Sequence, residues 1–285
     1  MFSGTAIGPH HFITAKHCGG QVGDIFQYAG GQYEAINFDV VPGADLTVWT
    51  VAETLPYWAT LQNQTEVGLP AILFGRGTKR GREITVNGVV RGWEWGPGDG
   101  ARSWGLAQVA AIVPTDVGAS VAGGQVTSML ALPFEASYGP NAGTVSSGDS
   151  GGGVFVKDFD GTWKLAGIIH GVTNTSGAVG YGTYQAAIFE DDTVAPSGGF
   201  SASANSVPTG GSVALATRVA TYRSFIHTVL NKPPQRLWLT RRRAVVLAGF
   251  GVFAGVCFLI FRLRVLLRLH KQRLKKLRAA RCVVN

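Results

Sequence analysis

Cysteine is scarce: three occur in 285 residues, Cys18, Cys257 and Cys282, and only Cys18 precedes residue 231. A disulfide within the first 230 residues is therefore excluded, and that part must be held by its core. Acidic residues are absent from residues 231–285, where 14 Lys and Arg stand alone, while residues 1–230 hold 11 Lys and Arg against 17 acids. The overall charge of +8 is thus a body near −6 joined to a tail of +14. Nucleic-acid binding asks for a basic face on the folded part, and this body lacks the charge for one, so no nucleic-acid partner is expected. Nothing asks for a cofactor or a metal ion, and none is expected. Charged residues make up only 15% against 46% apolar, which excludes a disordered chain.

Helical patterning is also rare before residue 214. What occurs instead is a series of short runs rich in Val, Ile, Thr, Phe and Trp, broken by glycine: "FITA", "DIFQYA", "YEAINFDVV", "LTVWTV", "AILFG", "GGVFV" and "WKLAGIIHGV". These read as strands. In "EITVNGVVRGW" the Asn87-Gly88 step between alternating apolar residues is a strong hairpin signal. Many turn-punctuated strands predict an all-β barrel or sandwich rather than an α/β sheet. Residues 191–212, rich in Ser, Gly, Ala and Pro, read as a long exposed loop. In "TRVATYRSFIHTVL" the spacing of Tyr222, Phe225, Ile226 and Val229 predicts one amphipathic helix that closes the domain. The prolines of "NKPPQ" stop it.

The one long hydrophobic run lies beyond a linker at 231–243. Ala244 to Phe261 is uncharged for 18 residues, and 11 of them are Val, Leu, Ile or Phe. As a helix it extends about 27 Å, close to the roughly 30 Å of a bilayer core, so a membrane span is predicted over 244–261. The flanking basic residues number nine after the run and five before it (Lys232, Arg236, Arg241, Arg242, Arg243). That bias predicts a cytoplasmic C-terminus and a body on the far side of the membrane. The basic tail, 262–285, keeps Leu263, Leu266, Leu267, Leu274 and Leu277 near one helical face, suited to lying on anionic headgroups.

The residues that carry chemistry are His17, Asp45 and Ser150. "FITAKHC" ends a strand run on His17, "GADLTVWTV" places Asp45 at the opening of another, and "SSGDSGGGVFV" sets Ser150 among glycines. A serine hydroxyl is a weak nucleophile near neutral pH and needs an imidazole to take its proton; a buried carboxylate then fixes the imidazole's tautomer. The three segments, in this order, resemble those of chymotrypsin-like (trypsin-family) serine proteases, and bacterial, membrane-anchored members most closely. The match covers roughly residues 2–190 and 214–230. Lys16 departs from the family's Thr-Ala-Ala-His-Cys signature, and the family's cysteine partner for Cys18 is matched by Ser3, so Cys18 is expected to be a free thiol.

The resemblance implies a serine endopeptidase built from two six-stranded antiparallel β-barrels with a short C-terminal helix, over residues 1–230. It implies a triad of His17, Asp45 and Ser150, oxyanion donors at the Gly148 and Ser150 N–H groups, and a substrate pocket involving Thr144, His170 and Gly171. Thr144 stands where an aspartate would select Lys or Arg, so a preference for basic residues is not expected; His170 on the pocket wall would suit a substrate Glu. The family's first strand and a leader are missing ahead of Phe2, so a start upstream is expected to supply both. His10 and His11, beside Pro9, are expected in solvent, and Asp39 is the rival to Asp45. Asp149 is expected to order its loop rather than act as a base. Two other functions are weighed: a catalytically inactive homologue acting as a membrane-anchored binding module, and an esterase of the α/β-hydrolase type, whose Gly-x-Ser-x-Gly elbow "GDSGG" also satisfies but whose Asp and His should follow the serine, with His170 and His227 the histidines available.

Overall fold

The computed structural model describes residues 3–86, 88–116, 126–173, 186–189 and 211–232. The chain separates into two compact units, Met1–Pro234 and Gln235–Asn285, and all the described residues belong to the first. In chain order the strands are β1 (Thr5–Gly8), β2 (His11–Thr14), β3 (Ile25–Tyr28), β4 (Gly31–Val40), β5 (Thr47–Val51), β6 (Pro70–Gly75), β7 (Thr78–Val86) and β8 (Val89–Gly98), then β9 (Ser103–Gln108), β10 (Ala111–Asp116), β11 (Val126–Pro133), β12 (Gly153–Lys157), β13 (Trp163–Thr173), β14 (Ala186–Ile188) and β15 (Val213–Arg218). One α-helix follows, α1 (Val219–Leu230), and two 3-10 turns lie at Lys16–Cys18 and Ala136–Asn141.

The strands form a five-stranded sheet in the order β1-β2-β5-β4-β3, a seven-stranded sheet in the order β10-β11-β15-β13-β12-β6-β9 and a small sheet β14-β8-β7. Every pairing between these strands is antiparallel. The described residues are therefore mostly β, with one short helix among them, as the strand patterning predicts. The described strands do not divide six and six, as the expected pair of six-stranded barrels would. The first sheet has five strands, and β1 and β3 are left as its two edges. A cavity of about 1120 Å³ lies against both, lined by Thr5, Phe12, Phe26, Tyr28 and Trp49 among others. The second sheet has seven strands, because the long β7–β8 hairpin leaves it and pairs with β14 instead. An α/β-hydrolase needs strands alternating with helices on a parallel sheet, and the antiparallel pairing removes that reading.

Local chemistry accounts for the turns. Val86 pairs with Val89, leaving a two-residue hairpin loop in which Gly88 takes φ 77°, the left-handed conformation this turn requires. The predicted helix is shorter than its pattern, because β15 runs to Arg218 before α1 begins. Val213–Thr217 is buried throughout and pairs with β11 on one side and β13 on the other, and an interior strand shows no alternation by which to recognise it. Of the predicted loop at 191–212, only Gly211 and Ser212 are described. Both are buried, and the Ser212 backbone bonds Phe134 and Ile188.

The three largest apolar clusters among the described residues make up most of the core. One lies within the second sheet around Leu130, Val154 and Ala216. Another lies within the first, where Phe12 stacks on Phe26 at 4.1 Å between ring centroids. The third joins the two sheets: Ile13, Leu46 and Val48 meet Leu165 and Ile168, with Val219, Ile226 and Val229 of α1 closing the stack. The helix therefore buries one stripe against the seam between sheets, and Ile226 has no exposed surface. Ile226→Ala is expected to cost about 2–5 kcal/mol in urea unfolding, and a loss under about 1 kcal/mol would show that the helix does not hold this cluster.

Candidate active site

Asp45 sits where a tight turn delivers β5. Pro42 and Gly43 form the corner, Gly43 at φ 71° as the third position of a type II turn requires, and the Ala44 N–H closes onto the Val41 carbonyl. Tyr222 of α1 donates its hydroxyl to the Gly43 carbonyl at 3.0 Å, tying the corner to the helix. His17 lies in the 3-10 turn after β2, ended by Gly19 at φ 70°. Three bonds fasten the two turns. The Lys16 N–H donates to the Asp45 carbonyl at 3.2 Å, the His17 N–H to Asp45 Oδ1 at 2.8 Å, and His17 Nδ1 meets Asp45 Oδ2 at 2.5 Å. Asp39, the rival carboxylate, lies on β4 and pairs with Lys232 at 2.5 Å instead.

The Asp45 side chain has no exposed surface. Burial pushes its carboxyl up, but the hydrogen bonds from His17 and His170 outweigh that and hold it well below the ordinary carboxylate range. An ionised acceptor requires a proton on each facing nitrogen, so His17 carries its proton on Nδ1 and leaves Nε2 free to accept one. The hydrogen bond to Asp45 raises the His17 pKa above its ordinary 6.5, against the opposing effect of burial. Cys18 is a free thiol, as expected, and burial pushes its pKa up, which keeps it neutral beside the site.

Ser150 occupies the turn between the Ala136–Asn141 turn and β12. Its neighbours Gly148 and Gly151 have φ of 94° and 81°, so glycine is needed on both sides. The turn is held by Asp149, which is buried and orders the loop. Its Oδ1 accepts the Gly77 N–H at 2.7 Å, and its Oδ2 accepts the Ser146 N–H at 2.8 Å and the Ser146 hydroxyl at 3.1 Å. The N–H groups of Gly148 and Ser150 find no acceptor among the described residues. The Ser150 hydroxyl donates to the His170 carbonyl at 3.4 Å, a long bond, and makes none to His17. The structure thus joins His17 to Asp45 and places Ser150 beside the second histidine's backbone.

His170 makes a contact that its expected place on a substrate pocket wall does not include. It leaves β13 at a bulge and turns its Nδ1 to Asp45 Oδ2 at 2.6 Å, with its ring edge-on to His17 at 5.3 Å. His11 is buried rather than in solvent, at 2% exposure, because β2 pairs on both sides; burial lowers its pKa, and His10 bonds the Glu53 carbonyl at 3.1 Å. Thr144 lines a cavity of about 190 Å³ with Ser146, Ile169, Lys79 and Trp95, and its Oγ1 is buried without a partner among the described residues; His170 and Gly171 do not line it. Sequence reasoning placed Tyr222 on the helix but did not foresee its bond to the Gly43 carbonyl. The signal for His170 was present, a lone histidine within the apolar run "GIIHGV".

His17, Asp45 and His170 bring three ligand-type atoms within 4.8 Å of one another, the kind of group that could hold a metal. Their N···O separations of 2.5 and 2.6 Å are those of short hydrogen bonds. Ligands about 2.0–2.1 Å from a tetrahedral metal would stand about 3.3 Å apart, so the cluster fits hydrogen bonding better.

No family model matches the chain, and no curated protein matches it. Solved structures similar to it include the Rv3671c protease in an inactive form, with 14% identity over 81% of this chain and 84% of that one at a TM-score of 0.47. The active form from M. tuberculosis gives 14% identity over 78% and 72% at 0.43.

The Asp149 clamp is directly testable, since a Cβ on Gly77 would run into the Asp149 carboxylate and the Ser146 hydroxyl. Gly77→Ala is expected to lose about 1–3 kcal/mol of stability and to speed amide exchange across residues 146–151. Unchanged exchange there would show that the clamp does not hold the loop.

Proposed function

We propose that the chain is a serine endopeptidase of the chymotrypsin-like type, acting on protein or peptide substrates. The observation that carries this reading is the contact of His17 Nδ1 with a wholly buried carboxylate at 2.5 Å, beside a glycine turn that presents Ser150. Oriented by Asp45, His17 has Nε2 free to take the Ser150 proton as Oγ attacks the scissile carbonyl carbon. The oxyanion that forms is met by the Gly148 and Ser150 N–H groups, which have no acceptor among the described residues. His17 then gives its proton to the leaving amine. Water, deprotonated by the same imidazole, hydrolyses the acyl-enzyme and restores Ser150. Attack requires the Ser150 hydroxyl to leave its long bond to the His170 carbonyl. That bond is the one feature favouring the alternative, an inactive homologue used as a binding module.

A fluorophosphonate reacts with an activated serine, so covalent labelling of Ser150 separates the two. With a peptide substrate, Ser150→Ala and His17→Ala are each expected to lower kcat by about 10⁶, and Asp45→Asn by about 10⁴ through the wrong imidazole tautomer. Full activity in Ser150→Ala would end the protease assignment. Because the base must be neutral and its pKa is raised, the acid limb of kcat/KM should have its midpoint above 6.5. A midpoint below that value would contradict the Asp45 contact.

We further propose that Ala244–Phe261 anchors this body to a membrane with the body extracytoplasmic. The segment lies outside the described residues; among those, no helix is long and apolar enough to cross a membrane. Support comes from the uncharged run and the excess of basic residues after it. External protease added to intact cells or spheroplasts should remove an epitope in the body and spare one at the C-terminus; the reverse pattern would overturn the topology.

A further inference from the structure

Two imidazoles donate into one carboxylate oxygen in this site, and only one of them is needed as the base. We propose that His170 is a positioning residue: it fixes the plane of the Asp45 carboxylate and limits how strongly that carboxylate draws the proton of His17. The inference rests on the protease reading and goes beyond it.

The backbone is built to deliver this contact. β13 pairs with β15 at Ile169↔Ala216 and again at Gly171↔Leu215, so His170 is the extra residue of a bulge. A bulge removes one residue from the ladder and re-aims its side chain. Here the side chain crosses from the seven-stranded sheet to a turn of the five-stranded sheet and puts Nδ1 2.6 Å from Asp45 Oδ2. The two rings stand at 81° to each other, which lets both Nδ1 atoms reach the same oxygen. Asp45 Oδ1 holds the His17 N–H at 2.8 Å, and Oδ2 holds both ring N–H groups. Without His170, every side-chain bond to the carboxylate would come from His17 itself, and the group meant to orient the imidazole would be oriented only by it.

The electrostatic consequence has a definite sign. The His170 N–H stabilises the Asp45 anion and so weakens its pull on the His17 proton. Removing that donor concentrates the carboxylate's charge on His17 and raises the imidazole's pKa further. The groups facing His170 in this arrangement are Asp45 and His17 across the seam and Ser150 on its own side.

The test uses two variants of the full chain, each checked for folding by thermal unfolding and near-UV circular dichroism. His170→Asn keeps an N–H where Nδ1–H stands, and His170→Leu removes it. His170→Leu is expected to lower kcat by about 10- to 100-fold with KM changed by less than about threefold, and to move the acid limb to higher pH. His170→Asn should keep kcat within about threefold of the parent and leave the limb in place. A Leu variant with parental kcat and limb would overturn the proposal, as would an Asn variant as impaired as Leu. The parent protein's failure to react with a fluorophosphonate would sink the protease reading separately. Proton NMR reads the geometry whatever the activity: two low-field Nδ1 protons are expected in the parent and one in His170→Asn, and a single one in the parent would refute the shared oxygen.

Discussion

A carboxylate sealed from solvent must have its charge met by donors, and Asp45 is met by three: the backbone N–H of His17, the ring of His17 and the ring of His170. A buried anion without such partners would cost several kcal/mol or take up a proton. This one requirement organises much of the unit. The His17 turn is bonded to the Asp45 turn through both side chain and backbone, the bulge in β13 exists where a donor is needed, and Tyr222 of α1 holds the corner that leads into Asp45. The apolar cluster joining the two sheets includes Leu46 and Val48, which follow Asp45 in the chain. Burial of that cluster and ionisation of the carboxylate are therefore consequences of the same seam.

Asp149 shows the other use of a buried acid. Its oxygens are occupied by the Gly77 N–H and by Ser146, so it works as a bracket between the turn after β6 and the turn that carries Ser150. The glycines at 75 and 77 follow from it, because a side chain at either position would occupy the space of the carboxylate. Asp45 and Asp149 thus divide two tasks: one orients an imidazole, and the other shapes the backbone that presents the serine. Position decides which, since Asp45 faces two rings and Asp149 faces only main chain and a hydroxyl.

Much of this was legible in the chain itself. Short β-rich runs became β2 to β6, β12 and β13, the Asn87-Gly88 step marked the β7–β8 hairpin, and the stripe at Ile226 and Val229 is the buried face of α1. These signals are local: alternation, turn chemistry and helical period depend on neighbours within a few residues. β15 escaped notice because a strand buried on both faces does not alternate. His11 was misjudged because one of the two strands that flank it, β5, is distant in sequence.

The sequence by itself determined the residue types and their order: a histidine closing one strand run, an aspartate opening another, and a serine between glycines that must take positive φ. It also fixed the division of charge between an acidic body and a basic tail. Only the tertiary structure decided which groups meet. That His170 turns its Nδ1 to Asp45 follows from one unpaired residue in a ladder between strands more than forty positions apart. That Ser150 rests against the His170 carbonyl follows from the packing of its turn on the same strand. Register between distant strands is set by how the whole sheet buries its faces, and no local window of sequence contains that information.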